Sequence, residues 1–137
     1  MGIPFQSDAL GKLVLRLTVG GLILFHGVAK LMNPAGAMAY LGKTLTDAGL
    51  PTFLSYLVYG GEVLAPLLII FGLFARVGGL LVVINMLFAF YLVHSAQLMT
   101  LSKNGGWGLE LQGFYLLCGL AVFFLGSGKY AVKPDSA

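Results

Sequence analysis

LVYGGEVLAPLLIIFGLF, residues Leu57 to Phe74, carries one charged side chain, Glu62, in eighteen residues. An apolar run of this length reads as a helix that crosses a bilayer. A charge near the centre of such a helix costs roughly 2.5 to 3.5 kcal/mol on insertion scales, so it needs a partner or a task. In a span of about 53–74, Glu62 lies about nine residues from the outer end and about twelve from the inner end. That is too deep for a short carboxylate to reach the headgroups. Its own helix supplies no cation within a turn, so the partner must come from elsewhere.

The rest of the chain agrees with a lipid environment. Of its 137 residues 58% are hydrophobic and 9% charged, with a mean hydropathy of +0.94, outside the balance of soluble domains. Four runs are apolar enough to cross, at about 10–31, 53–74, 77–98 and 108–125. The expected fold is therefore all-α: an integral membrane four-helix bundle forming one domain over residues 1–137. The first run is too long for a signal-peptide core and lacks a small-x-small cleavage site, so it is expected to remain as helix one. Lys12, Arg16, Arg76, Lys129 and Lys133 fall on the side of the termini, against Lys30, Lys43 and Lys103 on the other. The positive-inside rule then places both termini in the cytoplasm of a multi-pass protein of the inner (plasma) membrane.

The net charge of +3 reports this topology, since no basic run of the length that nucleic acid needs is present. Cys118 is the single cysteine, so no intramolecular disulfide can form. Between the first two spans, Met38, Leu41, Leu45 and Ala48 recur at helical spacing, with Pro34 before them and Gly49 and Pro51 after. This predicts a short amphipathic helix on the outer membrane surface, placed to cover a pocket mouth.

The remaining ionisable residues follow the same helical geometry. Arg16, Gly20, Ile23, Gly27 and Lys30 form a narrow stripe on helix one, with His26 at its edge. The glycines allow close approach of another helix. Ser55, Tyr59, Glu62, Pro66 and Ile69 form a comparable stripe on helix two, and the two are expected to face each other. Helix three ends with Tyr91 and His94 one turn apart, while Trp107, Glu110 and Gln112 open helix four. Trp107 also suits an interfacial belt, and Glu110 suits the dipole of a helix start. HGVAKLMN and HSAQLMT end the odd helices, and GGEVLAPLLIIFGL is similar to GLELQGFYLLCGL. A parallel internal repeat of this kind predicts that His26, Glu62, His94 and Glu110 converge in the outer half of the bundle.

Taken together, RLTVGGLILFHGVAKLMNP, the central Glu of GGEVLAPLLIIFGLFAR, His94, and Trp107 with Glu110 resemble the DoxX family of small four-helix membrane proteins. The resemblance runs from about Leu13 to Gly126. It implies a link to thiosulfate oxidation with quinone as electron acceptor, by way of the namesake and the related DoxD proteins. It also implies a protein partner subunit. Family-like polar positions fall at Arg16, His26, Lys30, Glu62, Arg76 and His94.

Three readings of the cluster compete. In the first, the protein is a quinone-interacting redox subunit, with Glu62, His26 and His94 as the proton-handling, catalytic group. Arg16, Lys30, Tyr59, Tyr91, Trp107 and Glu110 then surround the ligand. A quinone needs a donor at each carbonyl and two protons on reduction, which histidine, carboxylate and cation can serve. No flavin, haem or iron–sulfur motif is visible to deliver electrons. In the second, the protein is a non-catalytic scaffold whose charges pair Arg16 with Glu62 and Lys30 with Glu110. In the third, it handles a metal or small solute, against which stand the cations and the lack of any ligand-spacing motif; no metal site is assigned. The lipid bilayer and a partner subunit are the expected neighbours, and a homo-oligomer is left open.

Overall fold

The computed structural model describes residues 5–135. Among them every long element is helical: α1 (Asp8–Met32), α2 (Pro34–Asp47), α3 (Ser55–Tyr59), a π-helical turn (Gly60–Leu64), α4 (Ala65–Phe71), α5 (Ala75–Leu92) and α6 (Glu110–Leu125). Three helical stretches are long and apolar enough to cross a membrane: Asp8–Met32, Thr52–Phe71 and Ala75–Leu92. The fourth apolar helix, α6, has 16 residues. The fold is thus an all-α membrane protein with three full-length spans and additional helices, rather than the regular four-helix bundle expected. The third span is also shorter than 77–98. It stops at Leu92, and a 3₁₀ turn at Ser95–Gln97 follows.

Local chemistry sets these boundaries. Ser7 caps α1 by accepting from the Leu10 N–H, and Asp8 favours the first turn. Asn33 ends α1 and caps α2, where Pro34 occupies the first turn. The predicted amphipathic helix is α2, and its buried face is Leu41 and Leu45. Gly72, at φ 70°, ends α4 in the left-handed region.

The second span is not one regular helix. Pro66 has no N–H to offer the carbonyl of Glu62, and the turn before it widens into a π segment in which the Ala65 N–H reaches Gly60. The freed Glu62 carbonyl points at Gly27 of α1, where a Cβ would overlap it. The missing side chain at Gly27 is therefore what lets the two helices meet at this level. On α1 the buried residues are Arg16, Val19, Gly20, Ile23 and Gly27, matching the predicted stripe as far as Gly27. On the second span the extra residue of the π turn rotates the outer part, and Tyr59 leaves the line of Glu62, Pro66 and Ile69. Elsewhere α5 and α6 pack closely through Gly79 and Gly119, where a Cβ on Gly79 would lie 2.5 Å from the Gly119 carbonyl.

Two arginines close the opposite end. Arg16 is 1% exposed; its Nε donates to the Ile69 carbonyl, Nη2 to Ile70, and Nη1 to Ser127 and Tyr130, at 2.7 to 3.0 Å. The Leu73 N–H takes the Leu68 carbonyl and the Val132 N–H takes Phe71. All four terminal carbonyls of α4 are thereby satisfied, which buried helix ends require. Arg76 does the same for α6, donating to Phe123 and Phe124 at 2.9 and 3.1 Å. In each helix pair an arginine of the first helix seals the C-terminal end of the second, Arg16 of α1 at α4 and Arg76 of α5 at α6.

Asp135 fastens the C-terminal segment to this end. Its carboxylate accepts from the Ser127 N–H at 2.7 Å and the Arg76 N–H at 3.2 Å. Burial pushes the carboxyl pKa up, but these hydrogen bonds and the Arg76 charge outweigh it and hold it below the ordinary value. A lowered folded pKa adds stability that is complete above the unfolded value and lost as pH falls through the folded one. The segment is therefore expected to loosen below about pH 4. Protection of the Ser127 amide, its exchange rate referred to the intrinsic rate at the same pH, should fall there in the wild type and already be low at neutral pH in Asp135→Ala. Equal protection in both at neutral pH would show that the carboxylate holds nothing.

Candidate functional site

At the other end the helices enclose a cavity of about 470 Å³. Ile23, His26 and Lys30 of α1, one side of the second span between Leu54 and Leu64 that leaves out Tyr59, α5 and the start of α6 form its walls. The apolar face of α2, with Leu41 and Leu45, covers it beside Tyr40 and Thr44. The predicted amphipathic helix thus contributes part of its apolar face to the cavity wall.

Glu62 finds its partner here. Lys30 Nζ lies 2.5 Å from Glu62 Oε2, with side chains 25% and 14% exposed. The cation from helix one is Lys30 and not Arg16, because Arg16 is fully used by backbone carbonyls at the far end. The pairing of Lys30 with Glu110 is likewise replaced. The π turn and the Gly27 contact set the level of Glu62, and α1 delivers Lys30 from less than one turn beyond Gly27. Removing either member of this mostly buried pair would leave the other without its counter-charge, at a large desolvation cost.

Three of the four residues predicted to converge line the cavity: His26, Glu62 and His94. The His26 ring meets Tyr115 edge-on, 6.2 Å between centroids. His94 lies just past the end of α5, its Nδ1 2.8 Å from the Gln97 side-chain oxygen. Glu110 is not among the lining residues. It is exposed at the first turn of α6, its carboxylate folded back beside Gly106, which fits the helix-dipole explanation.

The other candidates fall outside the cavity. Trp107 donates from Nε1 to the Leu98 carbonyl at 2.7 Å and meets Phe90 edge-on, so it pins the loop before α6. Tyr91 is 67% exposed on the outside of α5. Tyr59 faces a separate open groove with Leu31, Pro34 and Met38, and its buried hydroxyl has no partner among the described residues. Arg76, like Arg16, belongs to the far end.

Asn85 is a lining residue that the sequence reading passed over; Gln112, named there only as part of the opening of helix four, also lines the cavity. The available signal was a lone amide in VVINMLFAF, where every neighbour is apolar. Among the described residues, no group of three or more His, Cys, Asp or Glu is placed to hold a metal ion.

Over 129 residues, covering 94% of this chain and 89% of the relative, the sequence is 30% identical to "Putative oxidoreductase CatD" of Bacillus subtilis (strain 168). No solved structure matches. The DoxX family profile matches residues 11–95, the stretch that holds Arg16, His26, Lys30, Glu62, Asn85 and His94. The chain belongs to the DoxX family.

Proposed function

We propose that this protein is a quinone-interacting membrane subunit that works beside a redox partner, with the cavity as its ligand site. The Lys30–Glu62 pair, held in an otherwise largely apolar chamber, carries this reading. A volume of about 470 Å³ is of the size that holds small molecules, and Phe88 and Tyr115 supply flat walls. A bound quinone would supply a two-electron acceptor. His26 and Asn85 offer hydrogen-bond donors, Lys30 offers positive charge against a polarised oxygen, and Glu62 offers a site for a proton. The oxidoreductase in the relative's name supports a redox setting.

Leu57, Leu64 and Ile84 line the cavity and are exposed. The second and third spans pack together along α4 and the π turn but diverge at α3. This favours entry of a ligand from the bilayer. In the same reading α6 is the fourth crossing, both termini are cytoplasmic, and the membrane is the inner (plasma) membrane. Electrons come from a partner subunit.

Protein purified in mild detergent should retain extractable quinone at near-stoichiometric levels. Glu62→Gln should lose most of it and melt lower, since it leaves Lys30 unpaired; the double variant Lys30→Gln/Glu62→Gln, which strands no charge, should elute and melt closer to the wild type and still retain little quinone. Wild-type protein that carries none, and takes up none when it is added, would remove the reading. A second reading, a non-catalytic scaffold of a redox or detoxification complex, is favoured by the arginine end, where both cations serve helix closure. It predicts that the same double variant alters partner capture alone.

A further inference from the structure

Asn85 lies in the interior of α5, is 8% exposed, and lines the cavity. Its side chain makes no hydrogen bond with any described residue. Its amide atoms are not among the enclosed polar atoms that lack a partner, so they open onto the cavity, where in the middle of a span they are left for whatever occupies it. The second span is shaped to admit it: a Cβ on Gly61 would overlap Asn85 Cβ and Cγ. Gly61 and Glu62 are adjacent in the π turn, so the same irregularity that aims Glu62 at Lys30 also makes room for Asn85.

The charges around it narrow the ligand class. Lys30 and Glu62 neutralise each other, and Asn85 and Gln112 are uncharged. With that pair offset and the rest of the lining largely apolar, the chamber suits a neutral molecule. An amide both donates and accepts, so one side chain can meet a carbonyl oxygen through its NH₂ or a hydroxyl through its oxygen.

We propose that Asn85 is a ligand-binding residue whose amide holds the ring oxygen, carbonyl or hydroxyl, of a neutral flat compound dissolved in the bilayer. This rests on the quinone-site reading and names the group that recognises the ligand in either oxidation state. Asn85 itself exchanges no proton.

The test uses full-length protein in lipid nanodiscs, with binding corrected against empty discs. A decyl-substituted para-benzoquinone is compared with decylbenzene, which lacks the ring oxygens. The wild type should prefer the benzoquinone. Asn85→Leu, close in volume, should weaken benzoquinone binding roughly tenfold or more, leave decylbenzene binding unchanged, and melt no lower than the wild type. Undiminished preference in Asn85→Leu overturns the assignment while leaving the cavity reading standing. Equal binding of both compounds by the wild type overturns both. Should Asn85→Leu fail to accumulate, Asn85→Ala makes the same comparison.

Discussion

Arg16→Met is expected to melt far below the wild type, with a loss of about 3 kcal/mol or more, because hydrogen bonds to a charged donor contribute roughly 1.5 to 3 kcal/mol each. Four carbonyls, from Ile69, Ile70, Ser127 and Tyr130, would lose the donor that Arg16, itself 1% exposed, brings them, and among the described residues only Ile69 keeps another, the Gly72 N–H. Methionine fills much of the volume, so the loss isolates the polar contacts from packing. Lysine should not restore stability. Its three donors radiate from one nitrogen, whereas the planar guanidinium reaches two chain segments from three nitrogens at once. Thermal unfolding in detergent, followed by circular dichroism, measures this directly. A melting curve for Arg16→Met that overlays the wild type would show that the clamp holds nothing together. Because Arg16 does not touch the cavity, any Arg16 variant that folds should keep its ligand binding.

Gly27→Val carries the second large effect. A Cβ alone would overlap the Glu62 carbonyl, and both sides of that contact are backbone, so no side chain can turn away. Overpacking of this kind costs about 1 to 3 kcal/mol, occasionally more, and the rigid contact puts Gly27→Val at the upper end. The two spans must separate or the π turn must straighten. Either response moves Glu62 away from Lys30, so ligand retention should fall together with stability. Gly21→Val, on the same helix with open space around its Cβ position, should do neither. Equal melting of the two valine variants would refute the idea that the helices touch through Gly27.

Much of this was open to view in the amino-acid order. Hydropathy gave the helical spans, because lipid leaves backbone polar groups no partners but one another. Helical periodicity placed Arg16, Gly20, Ile23 and Gly27 on one buried face of α1. Turn residues placed α2, and its apolar spacing marked Leu41 and Leu45 as its inner side. His26 and Glu62 stood out as polar groups in apolar runs, and both line the cavity.

The partners were another matter. Arg16 and Lys30 share a stripe, and spacing alone allowed either to meet Glu62. The choice was made at the far end, where the carbonyls of α4 and the C-terminal segment take every donor of Arg16. Tyr59 looked aligned with Glu62 under a regular period, but Pro66 induces a π turn that rotates it into another groove. Trp107 and Glu110 sit before and at the start of α6, where a loop hydrogen bond and the exposed first turn decide their direction. Asn85 belongs to the site because Gly61, distant in sequence, leaves it room.

Sequence by itself determined which segments are helical, which faces are apolar and which side chains cannot be left in lipid, since those follow from local period and solvent. Only the tertiary structure decided which cation meets Glu62 and which polar groups share the chamber. Those choices depend on backbone contacts between helices, and a contact such as Gly27 against the Glu62 carbonyl has no signature in either segment alone.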